Sequence, residues 1–294
     1  MRLHWISAIC CLPLLGLHAA AEGWPEFRGP TGQGRAGGTA PLRWETSEDF
    51  AWETALPGGG WSSPVSAGGL VAVTTALPNA AGGVDLAVVG LNLADGKILW
   101  QTTLFSRAEP GQLHRKNGHA SPTPILEGDR VYAHFGHYGT ACLTKDGKVA
   151  WKNDSLGYSP VHGNGGSPAL FEDRLIFSAD GGSDPFVAAL NKETGAVIWK
   201  VPRVTTAKKT FSFSTPLVVE VDGKPQVVTA GSGLVAGLDP ADGREIWRAR
   251  YGEGYSVVPR PVREGNLIYI SSGYDRPSAY GIELGGSGDV TGSH

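Results

Sequence analysis

The stretch LNLADGKILW at residues 91–100 returns as CLTKDGKVAW at 142–151, LNKETGAVIW at 190–199 and LDPADGREIW at 238–247. Each copy reads as strand, tight turn, strand: an apolar run, an Asp-Gly or Thr-Gly turn, and a second run ending in tryptophan. Glycine suits the turn because it tolerates the positive φ of a tight hairpin. Trp52, Trp100, Trp151, Trp199 and Trp247 are 48, 51, 48 and 48 residues apart. A period near 50 that holds several short strands predicts the blades of a β-propeller.

Each period divides into four strands. In the second blade they are SPTPILEG (121–128), RVYAHFG (130–136), TACLTKDG (140–147) and KVAWKND (148–154). First strands begin near Ser63-Pro64, Ser121-Pro122, Ser167-Pro168, Thr215-Pro216 and Pro261, each followed by a short turn. The chain is therefore expected to be all-β, a propeller of four-stranded antiparallel blades with four complete blades and a partial fifth. A side chain needed once per blade is architectural, so the five tryptophans are assigned to packing between blades. A buried indole contributes a few kcal/mol.

Bulk properties agree. The 294 residues include 43 glycines and 20 prolines, only 18% are charged, and the formal net charge is −3. That composition suits turn-rich β structure, and without a basic run it argues against nucleic acid as a partner. Residues 1–21 read as a secretory signal: Arg2, an apolar run from Ile6 to Leu17, then Ala19-Ala20-Ala21 before the cut. The segment is too short to span a bilayer, and no other stretch could. Residues 22–49 form an N-terminal arm and 50–294 the propeller, placed in the periplasm or outside the cell. Cleavage would remove Cys10 and Cys11 and leave Cys142, whose place in an apolar alternation marks a small buried residue.

The Gly-x-x-x-Trp ending resembles the repeat of the PQQ-like, quinoprotein-dehydrogenase-like β-propellers. WPEFRGPTGQG (24–34), GWSSPV (60–65), HRKNGHASPTP (114–124), PVHGNGGSP (160–168) and GYSVVPRPV (254–262) are similar to the secreted, BamB-like members of planctomycete type. The resemblance covers essentially the whole expected mature chain. It implies a ring of about eight blades, so a fifth blade that stops after three strands reads as a truncated ring. Alternatively the strand at 50–56, bearing Trp52, closes a five-bladed one.

In such a ring the tight hairpins occupy one pole, and here they are uniform. The opposite pole carries dissimilar loops at 104–119, 154–166, 178–185, 202–212, 250–257 and 271–278. Dissimilar loops on a rigid scaffold carry recognition. The candidate rim for a ligand or partner at the channel mouth comprises His114, Arg115, Asn117, His119, His134, His137, His162 and Asn164, together with Tyr255, Tyr274, Asp275 and Arg276.

Sharper readings compete with this one. His119, His134, His137 and His162 could hold zinc or copper, but their spacing copies no ligand motif. Asp180 and Asp184 in DGGSDP offer calcium an incomplete ligand set. GQGRAG (32–37) follows no strand and opens no helix, so it is no nucleotide loop; Trp24, Phe27 and Arg28 there would anchor the arm to the propeller's side. The resemblance also implies the enzymatic alternative, a PQQ- and Ca²⁺-dependent alcohol or sugar dehydrogenase. Of the adjacent cysteines, catalytic aspartate and stacking tryptophan expected of it, the first have no match in the mature chain, the aspartate cannot be matched residue by residue, and only Trp61 offers a tryptophan in the top loops. The favoured reading is a non-catalytic binding or scaffolding module at the cell envelope, with no cofactor and an unknown protein or small ligand as partner.

Overall fold

The computed structural model describes residues 23–38, 42–43 and 49–294; the expected signal segment lies outside the described residues. Five antiparallel sheets follow one another along the chain. The first contains β1 (Val65–Ala67), β2 (Leu70–Pro78), β3 (Val84–Asn92) and β4 (Ile98–Arg107). The second contains β5 (Ile125–Glu127), β6 (Arg130–His134), β7 (Thr140–Thr144) and β8 (Val149–Asn153). In the third are β9 (Ala169–Phe171), β10 (Arg174–Ala179), β11 (Phe186–Asn191) and β12 (Val197–Pro202). The fourth has β13 (Leu217–Val221), β14 (Lys224–Gly231), β15 (Leu234–Leu238) and β16 (Glu245–Arg250). A three-stranded fifth sheet has β17 (Val262–Glu264), β18 (Leu267–Ser271) and β19 (Ala279–Glu283), and β20 (Gly288–Asp289) returns to pair in parallel with β16.

Sheets packed face to face bury their middle strands on both sides, which is why β7, β11 and β15 are almost wholly buried. One apolar cluster fills the space between the first two sheets, and others fill each later gap. Among the described residues, one face of the fifth sheet is packed. Ile268, Ile270 and Ile282 point into the cluster shared with the fourth sheet, while Leu267 and Tyr269 are exposed.

The repeated hairpin and the tryptophan that follows it interlock from blade to blade. Trp100 Nε1 donates to the Lys145 carbonyl at 2.7 Å, Trp151 Nε1 to Lys192 at 2.8 Å, and Trp199 Nε1 to Pro240 at 3.0 Å. Each acceptor lies in the third hairpin of the next blade. The same ring covers that hairpin's glycine (Gly147, Gly195 or Gly243), whose φ is between 74° and 80° and whose α-hydrogen leaves no space for a Cβ. Opposite each indole on its own sheet stand Gly90, Cys142, Ala189 and Gly237, each beside a register shift. Cys142 is thus one of four small residues that make space for a ring. Burial pushes its thiol up to about 12, away from thiolate chemistry.

Two tryptophans differ. Residues 50–56 form no strand and no ladder with β19, so they do not complete the fifth sheet. Trp52 instead seats on the first sheet, donating to Leu93 at 2.8 Å, with its ring over Gly96. Trp247 donates within its own sheet, to Gln226 Oε1 at 2.8 Å, and lies in register with Gly288 of β20.

Near the axis a second ladder joins the blades. The Ser63 amide donates to the Thr123 hydroxyl, the Thr123 amide to that of Ser167, and the Ser167 amide to that of Thr215, each at 2.9 Å. Thr123-Pro124, and not the expected Ser121-Pro122, therefore opens the second blade. Arg260 takes the fifth position, with its buried guanidinium on the carbonyls of Pro216 and Phe27. Nor does the N-terminal arm lie against the propeller's side. It crosses the inner strands, from Trp24 on Ser66 and Pro25 on Leu126 to Gln33 on Arg263 and Arg35 on Glu264.

The indole seats can be separated from ordinary turn strain. Gly195→Ala adds both a positive-φ penalty and a clash with Trp151, together about 2–4 kcal/mol. Gly223→Ala, at φ 73° with open space around it, costs only the penalty, about 1–2 kcal/mol. Urea unfolding of the two variants should show that difference; equal losses would remove the indole contact as its cause.

Candidate functional site

Three residues before the inner proline of every blade, the chain turns into the axial channel. Those positions hold Trp61, Ser121, Gly165, Phe213 and Val258, and all five line one cavity of about 590 Å³. Thr123 and Ser167 of the hydroxyl ladder stand below them, and Phe27 from the N-terminal arm also lines the cavity. The glycines and small polar residues leave space on one side, while Trp61, 69% exposed, and Val258 present apolar surface on the other.

Above this tier the irregular loops add one ring each. His114 lies edge-on to His162 at 5.2 Å between centroids, His162 to Phe211 at 5.0 Å and Phe211 to Tyr255 at 5.3 Å, while Tyr274 is tilted against Tyr255 at 6.3 Å. The four connections between blades and the β18–β19 loop thus contribute to one aromatic arc around the mouth. Tyr255 is buried and tied down: its hydroxyl donates to Asp275 Oδ2 at 2.8 Å and receives Lys209 Nζ at 2.8 Å. The bond to Tyr255 raises the pKa of the exposed Lys209 ammonium. Tyr274 is 71% exposed. Beside the arc, a second cavity of about 480 Å³ includes Arg276 and shares Lys209, Tyr255 and Tyr274 with the first.

The expected rim residues separate into three groups. His114, Asn117, His162, Tyr255 and Tyr274 line the funnel, and Asp275 and Arg276 line the neighbouring cavity. Asn117 also holds loops together, donating to the carbonyls of His162 at 2.8 Å and Asn164 at 3.1 Å. Arg115 is exposed and lines neither cavity.

His119, His137 and Asn164 form a packed cluster behind the rim. The Asn164 side chain is buried; its amide donates to Phe135, and its oxygen accepts from Tyr158 Oη at 3.0 Å and contacts His137 Nδ1 at 3.1 Å. His119 Nδ1 lies 2.9 Å from Tyr138 Oη. Burial lowers the pKa of both imidazoles, so they sit neutral in the wall. His134 is not on the rim at all. It points between the second and third blades, 2.8 Å from the Thr140 hydroxyl, with its ring 4.3 Å from that of Phe177. Complete burial pushes its pKa down to about 3.

Among the described residues, no three histidine, cysteine, aspartate or glutamate side chains gather as a metal site. Asp180 is buried against Arg203, whose Nε is 2.7 Å from its Oδ1, while Asp184 is exposed, so DGGSDP presents no paired carboxylates. Among the described residues no carboxylate lines the funnel itself, and the two of the neighbouring cavity, Glu253 and Asp275, lie at the Lys208 amide and the Tyr255 hydroxyl. Calcium takes six to eight oxygen ligands, commonly with carboxylates among them. The residues present do not fit a calcium-held quinone.

Sequence reading places Lys209 in the loops of this pole and allows Trp61 there, but misses Phe27, Phe211, Phe213 and Val258 as parts of the site. For Trp61, Phe213 and Val258 the signal was the fixed offset from the inner proline, which is visible only once the blades are aligned on Thr123.

Radial four-stranded sheets, interlocking tryptophans and a funnel at the axis define a propeller of the PQQ-like class. The family model described as outer membrane protein assembly factor BamB matches residues 43–157 and 116–287. The chain belongs to this family of PQQ-like, BamB-type β-propellers. BamB from Moraxella catarrhalis has a similar structure, with 19% identity and a TM-score of 0.51, covering 81% of this chain and 63% of that one. A europium-containing methanol dehydrogenase is similar at 13% identity and a TM-score of 0.54, covering 74% and 48%. Quinohemoprotein alcohol dehydrogenase ADHIIG from Pseudomonas putida HK5 gives 13% and 0.54, covering 90% and 45%. At such identities the likeness is one of fold, and the chain spans less than two thirds of each of these structures. No curated protein matches the chain.

The His134 environment makes stability depend on pH. An unfolded histidine takes up a proton near pH 6.5, whereas the folded one stays neutral until about pH 3. Its contribution is therefore fully present above pH 6.5 and is lost as pH falls toward 3. Between pH 8 and pH 5 the loss should be about 2 kcal/mol. Chemical unfolding at the two pH values should show this slope flattened in His134→Gln; an unchanged slope would remove His134 as its source.

Proposed function

We propose that this protein is a non-catalytic, extracytoplasmic propeller that captures a ligand or protein partner at its axial funnel and works at the cell envelope. The single observation that carries the reading is the division of labour in the repeat. Uniform turns form one pole, while five dissimilar connections converge on one open, aromatic-lined cavity at the other. The family's description as an assembly factor supports a binding role. Among the described residues no helix is long and apolar enough to cross a membrane.

The second reading, a PQQ- and calcium-dependent dehydrogenase, draws support from the two dehydrogenase folds. The donor set of the funnel counts against it.

Photo-crosslinking distinguishes them. A benzophenone side chain placed at Trp61 or Val258 should give the same defined adduct in cells, and one placed at Asp95 on the hairpin pole should not. Adducts of equal yield from both poles would refute the funnel as the binding site. Incubation with PQQ and Ca²⁺ should leave the absorption spectrum that of a simple mixture; a tight complex with dye-linked alcohol oxidation would establish the dehydrogenase instead.

A further inference from the structure

The funnel and the neighbouring cavity adjoin. They share Lys209, Tyr255 and Tyr274 as walls, so side by side they mark a path from the axis outward along the loops of the fourth and fifth blades. An elongated groove with rings along its length suits an extended chain better than a compact molecule. Exposed Trp61 and Tyr274 at its two parts are the residue types that anchor protein interfaces.

Its charge is one-sided in function. Among the described residues, Lys116 in the funnel and Lys208 and Arg276 in the neighbouring cavity make no ion pair. The two acids of the groove, Glu253 and Asp275, are outnumbered by Lys116, Lys208, Lys209 and Arg276. Asp275 accepts from Tyr255 and faces Lys209 at 3.9 Å, and Glu253 accepts the Lys208 backbone amide at 3.3 Å. A protein of net charge −3 thus collects uncommitted cations around an apolar groove. Such a surface attracts carboxylates and repels Lys- or Arg-rich segments.

We infer that the adjoining funnel and cavity dock an extended acidic segment of another protein, with apolar side chains seated on Trp61 and Tyr274 and carboxylates beside Lys116 and Arg276. The inference rests on the proposed role of the funnel and adds the chemistry of the partner.

The test uses the full chain and three fluorescein-labelled octapeptides that share two phenylalanines: one with Asp and Glu at the remaining positions, one with Asn and Gln, one with Lys. Fluorescence anisotropy should show the acidic peptide binding at least about fivefold tighter than the neutral one, the worth of one or two solvated ion pairs. That advantage should shrink as salt rises from 50 to 500 mM. Lys116→Gln with Arg276→Gln should abolish it without moving the melting temperature, and Trp61→Ala should weaken the acidic and neutral peptides alike. Equal binding of acidic and neutral peptides would overturn the acidic partner while leaving the funnel as a binding site. Binding of no peptide, or tighter capture of a dT8 oligonucleotide, would overturn a protein segment as the occupant, and the crosslinking experiment would still judge the funnel by itself.

Discussion

The fold depends on a ring set against a missing side chain. An indole needs a flat, close surface and an acceptor for its N–H, and a tight turn supplies both: its positive-φ glycine the surface, a carbonyl two or three residues earlier the acceptor. Placing donor and receptor four residues apart in one repeat gives each of the first three blades a tongue for the blade after it, and the second, third and fourth a groove for the blade before. The Trp151 ring on Gly195 and the Trp199 ring on Gly243 are the same joint used twice. Residues at the next outward position repeat the logic with different chemistry: Thr54, Thr102 and Asn153 bond the glycine's carbonyl, whereas Val201 packs beside it.

Because these joints lie at the hairpin pole and the hydroxyl ladder lies at the axis, the other pole is relieved of structural duty. Its connections can differ in length and composition without loosening the blades. They are nonetheless not floppy appendages. The Asn117 and Asn164 amides bind neighbouring loops to one another, and the Asp180–Arg203 pair spans the third blade while Arg203 reaches Thr229 of the fourth. Thr210 and Ser212, on either side of Phe211, bond the carbonyls of Gly181 and Asp180. The aromatic arc is therefore held by polar contacts beneath it, a supported wall around an open cavity.

Much of this was legible in the primary structure. The tryptophan period and the two-residue turns such as Gly68-Gly69 and Asp222-Gly223 give strand order and blade number, because positive φ and indole burial leave few alternatives. Legibility failed where two offsets compete: Ser121-Pro122 and Thr123-Pro124 both look like a blade's opening, and only the hydrogen bond from Thr123 to Ser167 decides. It failed again for His134, since alternation in β6 says that a side chain faces a neighbouring sheet but not that an imidazole can be satisfied there by Thr140. Phe27 illustrates a third limit. An arm without repeat partners carries no periodic signal, so its path across the axis depends on long-range contacts such as the one with Arg260.

That path has a mechanical consequence. Stacked units that touch only their neighbours come apart from the ends, each terminal unit fraying on its own. Here one short strap, residues 24–35, is fastened to the first, second and fifth units at once. An arc braced by such a chord resists opening as a bow resists while strung, and loss of either outer unit must strain or release the tether that also holds the other.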